Sequence, residues 1–148
     1  PDSSLFIDSL KFTTPKGKTV YGGGGIMPDE FVPFDTSGME YLFMNFRYTT
    51  IFQMYAFDFV QHKRNKWESI NSFKETFKIT DELFNQFITY AENELDFKAE
   101  EKGIKQSEKI IRRTLKAEIA RQLWEEQGYY SVMNDFDKEV KKCIEVMK

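Results

Sequence analysis

The placement of proline divides this sequence into two parts. All four Pro residues and six of the eight Gly residues lie within the first 38 positions, and no Pro follows. Proline lacks a backbone N–H and disrupts the interior of a helix, so only the second part is free to be helical throughout. We therefore predict an α+β fold that is mainly α. It would have a β-hairpin and a Gly-rich strand over residues 1–36 and about four helices over residues 37–148.

The composition is that of a folded domain with a slightly acidic balance. Hydrophobic residues make up 41% and aromatic residues 16% of the 148 positions, which is enough to build a core and argues against disorder. The 21 Lys and Arg residues are outnumbered by 24 Asp and Glu residues, so there is no electrostatic reason to expect nucleic-acid binding. A single Cys excludes an internal disulfide, and a single His excludes a His-rich metal site.

The most apolar stretch, residues 41–60, is the best candidate for a membrane span. It contains Asn45, Arg47, Gln53 and Asp58, and charged groups near the centre of a bilayer are costly. We therefore predict no membrane span in this chain.

Two strands are predicted near the N-terminus, over residues 5–13 and 18–26. Between them, Pro15 presets the backbone of a type I turn and Gly17 accepts a positive φ, which predicts a hairpin. The four consecutive Gly residues 22–25 would weaken an isolated strand, so we expect this segment to need a larger sheet.

Capping signals and apolar spacing predict the helices. The capping-box spacing from Ser37 to Glu40 predicts a long helix over residues 38–65, apolar on every side and so buried on every side. Thr80 is predicted to cap a second helix, and residues 73–79, which alternate with period two, are predicted to be extended. A third helix is predicted over residues 107–127, ended by Gly128, and a fourth from about residue 134. The apolar faces of the last three helices are formed by Leu83, Phe84, Phe87, Ile88, Ala91 and Leu95, by Ile111, Leu115, Ile119 and Leu123, and by Phe136, Val140, Cys143, Ile144 and Met147.

No residues have the spacing of a known nucleophilic centre, since Gly-x-Ser-x-Gly and Ser-x-x-Lys are both absent. We interpret His62, in the polar run 61–66, as a solvated residue at a helix end. Cys143 is interpreted as a core residue rather than a reactive thiol. The Gly run is followed by Ile26, Met27 and Pro28, not by the Gly-Lys-Ser/Thr and helix of a phosphate loop.

The charged clusters are interpreted as surface. Asp96, Glu100 and Glu101 lie in a charge-rich run typical of a solvated face rather than of a metal site. A second set forms a basic helix face that we interpret as ion-paired surface: Lys109, Arg112, Arg113 and Lys116 beside Glu108 and Glu118. The sequence thus gives no catalytic, cofactor-binding or metal-binding residues.

The stretch KFTTPKGKTVYGGGGIMPD, residues 11–29, is more specific than these patterns. It closely resembles a segment near the end of the protease core in the carboxyl-terminal processing peptidases, also called tail-specific proteases (serine peptidase family S41). There a strand ending in Thr-Pro, a Gly turn and a second strand lead to Gly-Ile-x-Pro-Asp. The resemblance covers residues 5–36. The doubled Gly pair and the helical tail are similar to versions from Bacteroidetes-type bacteria, with weaker matches at residues 115–121 and 137–147.

The resemblance implies the C-terminal part of an exported serine-type endopeptidase of the periplasm or cell envelope of a Gram-negative bacterium. Such an enzyme uses a Ser nucleophile and a Lys base, needs no cofactor, and often has a PDZ-like domain that binds the C-terminus of a protein or peptide substrate. In the family both catalytic residues precede the matched segment. Lys11, Lys16 and Lys18 do not match the catalytic Lys motif, so no residue here is assigned a catalytic role. The start at Pro1 also looks like a cut in a longer protein, and we expect this fragment alone to be inactive.

Two functions stay open for the helical region. It is either a tail domain that packs on the protease core, shapes substrate access or mediates self-association, or a stand-alone interaction module whose hairpin match is chance. The first predicts leftover apolar surface around the helix at residues 38–65 and a homodimer, and the second predicts a monomer with a closed core. The matched residues are interpreted as structural, with one alternative: the Gly run 22–25 lines a substrate groove.

Overall fold

A computed structural model describes residues 11–17, 19–22, 30–33 and 40–147. The chain divides into two compact units, residues 1–33 and 34–148. The described part is mainly helical with one small antiparallel hairpin, which confirms the predicted fold class. The predicted domain boundary after residue 36 stays a prediction. Of the sequence features named above, residues 5–10, Lys18, residues 23–29 and residues 37–39 lie outside the described part.

The N-terminal unit contains the predicted hairpin. Strands β1 (Lys11–Thr13) and β2 (Thr19–Tyr21) are antiparallel, and Phe12 lies directly opposite Val20. The Gly17 N–H donates to the Thr14 carbonyl over 2.8 Å. Gly17 has a φ of +80°, which a residue with a side chain rarely adopts, so glycine is required at this turn.

The other unit is helical. Its helices are α1 (Tyr41–Arg47), α2 (Ile51–Val60), α3 (Ile70–Thr76), α4 (Asp81–Glu94), α5 (Glu101–Met133) and α6 (Lys138–Val146). Helix α5 packs against α1, α2 and α3, and α2 also packs against α4. At the centre, the rings of Phe46, Phe52 and Phe87 lie 4.9 to 6.1 Å apart and join α1, α2 and α4.

The single long helix predicted over residues 38–65 is wrong, because the chain breaks at Tyr48–Thr50 into α1 and α2. The Thr49 hydroxyl donates to the Phe46 carbonyl over 2.8 Å and competes with the helical hydrogen bonds. The break lets each short helix turn one face toward α5. Burial on every side is therefore also wrong, since Tyr41, Met54 and Phe57 are exposed.

The extended segment predicted at residues 73–79 is wrong for its first half, where α3 forms. The Ser69 side chain caps α3 by accepting from the Ser72 N–H over 3.2 Å. Phe73 is fully buried, with its ring 5.1 Å from the Trp67 ring and 5.4 Å from the Trp124 ring. This tertiary packing outweighs the weak period-two pattern.

Helix α4 forms where the sequence predicted a helix capped by Thr80. The Thr80 side chain accepts from the Leu83 N–H over 3.2 Å, and Asp81 and Glu82 lie in the first turn. The predicted face is buried at Leu83, Phe84, Phe87, Ile88 and Ala91, while Leu95 is half-buried just after the helix.

Helix α5 is longer than predicted and contains a kink. Ile111, Leu115 and Ile119 are buried as expected, but Gly128 does not end the helix. The backbone leaves helical geometry at Trp124 and Glu125, and a further helical segment follows. Gly128 lies within that segment. Its backbone approaches the Ala120 carbonyl so closely that only a residue without Cβ fits there.

Candidate functional site

Glu118 is the one charged residue among the described residues that is buried, with 4% of its surface exposed. It lies on α5 beside the fully buried Ile119. Burial of a carboxylate is costly unless partners compensate for the lost hydration. Its surroundings are therefore the best candidate for a functional site in the helical unit.

Two side chains compensate the Glu118 carboxylate. The Arg121 guanidinium, one turn further along α5, lies 3.3 Å from both carboxylate oxygens, and the Gln53 amide of α2 donates to Oε1 over 3.3 Å. Arg121 continues across the kink: its Nε lies 3.3 Å from a Glu126 carboxylate oxygen, and its guanidinium lies 3.9 Å above the Tyr129 ring. We call these five residues the Arg121 cluster.

The kink brings the two halves of the Arg121 cluster together. Glu118 and Arg121 precede it, and Glu126 and Tyr129 follow it. At its centre Glu125 has φ 53° and ψ −146°, a region that residues with a side chain rarely occupy. The surrounding contacts must supply the free energy that holds this backbone, and Arg121 contacts both sides.

Burial shifts the pKa values of two groups in the cluster. Burial raises the pKa of the Glu118 carboxyl above its ordinary value, and nearby Arg121 and Arg47 only partly oppose this. Burial likewise raises the pKa of the Tyr129 phenol, with a further contribution from Glu118. The Gln53 Oε1 and Arg121 Nε atoms are buried and have no hydrogen-bond partner. The 3.3 Å contact of the Arg121 Nε with Glu126 is an ion pair without a hydrogen bond. The arrangement is an ion-pair network that spans the kink, buried at Glu118 and exposed at Glu126.

The predicted basic face is in part ion-paired. Arg112 lies 2.7 Å from Glu108 and 2.6 Å from Asp81, and its guanidinium lies 4.4 Å from the Phe84 ring. The interpretation of Lys116 as ion-paired surface is wrong. Its amine donates to the backbone carbonyls of Lys74 and Phe77 over 2.8 and 2.6 Å.

Lys116 and Glu118 are thus not ordinary surface residues. Burial lowers the pKa of the Lys116 amine, which acts as a cap on the end of α3. Glu118 is buried in the Arg121 cluster, so its interpretation as surface is wrong.

The residues considered for nucleophilic chemistry are not members of this cluster. His62 is exposed in the turn after α2, where Arg64 donates to the Gln122 carbonyl over 3.3 Å. Cys143 is exposed on α6, so its interpretation as a core residue is wrong: no other described element covers that face. Lys11 and Lys16 are exposed on the hairpin, and Gly22 is the one member of the Gly run that is described.

The acidic run beyond α4 makes local contacts. Glu92 accepts from the Lys98 amine over 2.6 Å and from the Ala99 N–H over 3.0 Å, and the bond from Lys98 chiefly lowers the pKa of its carboxyl. Asp96 and Glu101 lie nearby in sequence and are exposed. Within the described ranges, no three His, Cys, Asp or Glu side chains gather as metal ligands do.

The sequence prediction missed the Arg121 cluster. A signal was available: Glu118 follows Ile111 and Leu115 at spacings of seven and three, which places it on the buried face of α5. An acidic residue on an apolar face predicts a buried partner. The kink that brings Glu126 and Tyr129 close has no comparable signal.

The sequence profile of a family described as "Family of unknown function (DUF8443)" matches residues 42–125, more than half of the chain. The chain belongs to this family. The matched region of DUF8443 runs from α1 to Glu125 at the kink and includes Gln53, Glu118 and Arg121. No curated protein and no solved structure matches the chain. Among the described helices of this DUF8443 member, none has both the length and the apolar character to cross a bilayer.

Proposed function

We propose that this chain is the C-terminal part of a serine-type carboxyl-terminal processing endopeptidase that acts on exported proteins in the periplasm or cell envelope. The Ser and Lys that carry out catalysis would lie in the part of the parent protein that precedes residues 11–29. The helical unit, residues 34–148, contains the DUF8443 match and is called the DUF8443 unit below. It would be a non-catalytic tail that shapes substrate access, packs on the protease core or mediates self-association. The observation that carries the proposal is the resemblance of residues 11–29.

The structure of the hairpin supports this proposal. Phe12 and Val20 lie directly opposite each other, so their side chains share one face, and they are 58% and 39% exposed. An isolated two-stranded hairpin is at best marginally stable in water. A ribbon with an uncovered Phe–Val pair fits the edge of a larger sheet whose other strands belong to the parent enzyme.

The proposed Ser/Lys mechanism sets a requirement on the pKa of the catalytic Lys of the parent enzyme. A Lys base must be neutral to accept the proton of the Ser hydroxyl, so its pKa has to be lowered by burial. Lys11 and Lys16 are exposed in a hairpin and do not meet that requirement. The fragment on its own is therefore expected to be inactive.

A second function, a stand-alone helical interaction module, is favoured by the closed centre of the DUF8443 unit. Phe46, Phe73 and Phe87 are fully buried without help from any other chain. Under this alternative the hairpin would contribute nothing to an enzyme.

The test uses the complete protein from the natural gene. Cleavage of a peptide with an apolar C-terminus is measured for the parent and for Phe12→Asp, with Lys16→Ser at the exposed turn as the control. If the hairpin is part of the protease sheet, Phe12→Asp is expected to lower cleavage at least about tenfold, because a charge would enter a buried sheet face, while Lys16→Ser keeps full activity. A parent without peptidase activity, or unchanged cleavage by Phe12→Asp, would contradict the proposal.

A further inference from the structure

The turn that follows α2 concentrates positive charge in a chain whose net charge is -3. Six consecutive residues, 61–66, line an open cavity of about 600 Å³ there, and we call them the basic turn. Lys63, Arg64 and Lys66 are charged at neutral pH, and each of the six side chains carries an N–H group that can donate a hydrogen bond. Within the described residues, no carboxylate lines this cavity.

The three cations of the basic turn form no ion pair with any described residue. No Asp or Glu lies between Asp58 and Glu68 in the sequence. Asp58 accepts from the Gln61 amide over 3.4 Å, and Glu68 is exposed beyond the turn. On α5, Glu125 is exposed three residues beyond the carbonyl that accepts from Arg64. The positive charge of the basic turn is therefore left for a ligand to neutralise.

The end of α2 does not account for this much charge. The carbonyl groups at a helix C-terminus together carry about half an elementary negative charge. Lys63 already supplies a full positive charge there, because its amine donates to the Phe59 carbonyl over 3.2 Å. Arg64 and Lys66 add two more positive charges, so the turn keeps an excess that attracts anions.

Contacts within the protein hold the three cations in place. The Lys63 amine lies 4.0 Å from the centre of the Phe59 ring, and the Lys66 amine lies 5.2 Å from that of the buried Trp67 ring. Arg64 is held by its 3.3 Å hydrogen bond to a backbone carbonyl of α5. Side chains that are already held lose less conformational entropy when a ligand binds, which favours affinity.

We propose that the basic turn binds a phosphate group. A phosphomonoester concentrates nearly two negative charges and three acceptor oxygens at one centre, which matches three cations within four positions of one turn. An acidic peptide carries its charges on separate side chains. The Arg64 guanidinium has five N–H donors and uses one on α5, so the others can bind phosphate oxygens. This inference is independent of the proposed peptidase function, because its evidence lies within the region that matches DUF8443.

Titration of the full 148-residue chain with inorganic pyrophosphate in low-salt buffer, followed by NMR, tests the proposal. We expect the amide signals of residues 61–66 to shift along one saturating curve. Arg64→Gln/Lys66→Gln should weaken binding at least about tenfold, because it removes two charge-assisted donors. Lys102→Gln/Lys105→Gln is the matched control at exposed positions of α5, and it should change the affinity less than about twofold.

A second measurement identifies the source of the phosphate. The chain is mixed with phosphatidylcholine vesicles that contain phosphatidic acid. Vesicle binding that is lost in Arg64→Gln/Lys66→Gln would support the site with a lipid headgroup as ligand, and pyrophosphate binding alone would support it with a soluble phosphate compound. Circular dichroism checks that both double variants keep native helicity.

Three results would each overturn the proposal. The first is the absence of saturable shifts at residues 61–66 with pyrophosphate. The second is equal weakening of binding in the two double variants, which would show that only the overall charge matters. The third is tighter binding of a pentaglutamate peptide than of pyrophosphate, which would show that the turn binds acidic peptides instead.

Discussion

The ionisation of Glu118 is tied to folding. Burial raises the pKa of its carboxyl in the folded chain, whereas the pKa of Glu in an unfolded chain is about 4.3. Between these two values the folded chain binds more protons than the unfolded chain. The contribution of Glu118 to stability is therefore greatest at low pH and decreases as the pH rises through that window.

Replacing this carboxyl should remove that pH dependence. In Glu118→Gln, we expect the free energy of unfolding to decrease less as the pH rises from about 4.5 toward neutrality, because the amide does not titrate. Urea unfolding at a series of pH values measures this. Glu75→Gln, at an exposed carboxyl of α3 outside the Arg121 cluster, is the control for the substitution itself. An unchanged slope in Glu118→Gln would contradict this account.

The two glycines of α5, Gly103 and Gly128, differ in the space available for a Cβ atom. A Cβ on Gly128 would collide with the Ala120 carbonyl and lie 3.1 Å from the Trp124 Cβ, whereas a Cβ on Gly103 would meet only the Leu42 side chain at 3.6 Å. Gly128→Ala is therefore expected to destabilise the chain by about 2–4 kcal/mol. Gly103→Ala should stabilise it by about 0.5–1 kcal/mol, because it removes a glycine from a helix.

Chemical denaturation of both variants measures these changes. Equal effects of the two substitutions would show that the backbone at the kink does not approach as closely as the structure indicates.

At the scale of elements, side-chain caps distinguish α4 from α2. Thr80 precedes α4 and its hydroxyl accepts from the Leu83 N–H, whereas Thr50 precedes α2 without such a bond. Thr80→Ala is expected to lower the free energy of unfolding by about 1 kcal/mol, and Thr50→Ala by clearly less. Thermal unfolding by circular dichroism compares them, and an equal loss for both would argue against capping by Thr80.

The elements that the sequence predicted well have both a cap and a regular apolar face. Helix α4 has Thr80 and five buried apolar residues, and the hairpin has Pro15 and Gly17 at its turn. These signals are local, so they can be read without knowledge of the tertiary structure.

The failures have tertiary causes. The break at Tyr48–Thr50 contains neither Pro nor Gly, and it forms because α1 and α2 must both face α5. Residues 73–76 are helical because Phe73 packs between Trp67 and Trp124, a contact across about 50 positions of sequence. The contact of Gln53 with Glu118, 65 residues further along the chain, was missed for the same reason, although the position of Glu118 on the buried face of α5 was a signal.

For the whole molecule, the division into two units predicts independent folding of the helical one. All of the buried core residues in the described part lie between Leu42 and Val132. A chain of residues 34–148 is therefore expected to unfold within about 4 °C of the complete chain. A chain of residues 1–125 should unfold at a clearly lower temperature, because it loses Val132 and the Tyr129 side of the Arg121 cluster.

Circular dichroism at 222 nm records both transitions. A large loss of stability on removing residues 1–33, or none on removing residues 126–148, would contradict the assignment of the core.

The packing of α5 against α1, α2 and α3 also affects how the protein is made. A ribosome releases the N-terminal helices first, and the helix that covers them is synthesised later. At about 5–20 residues per second, the 63 residues from Val60 to Leu123 take about 3–13 s. During that interval the aromatic faces of α1 and α2 that α5 will cover have no partner on the nascent chain and stay in contact with solvent.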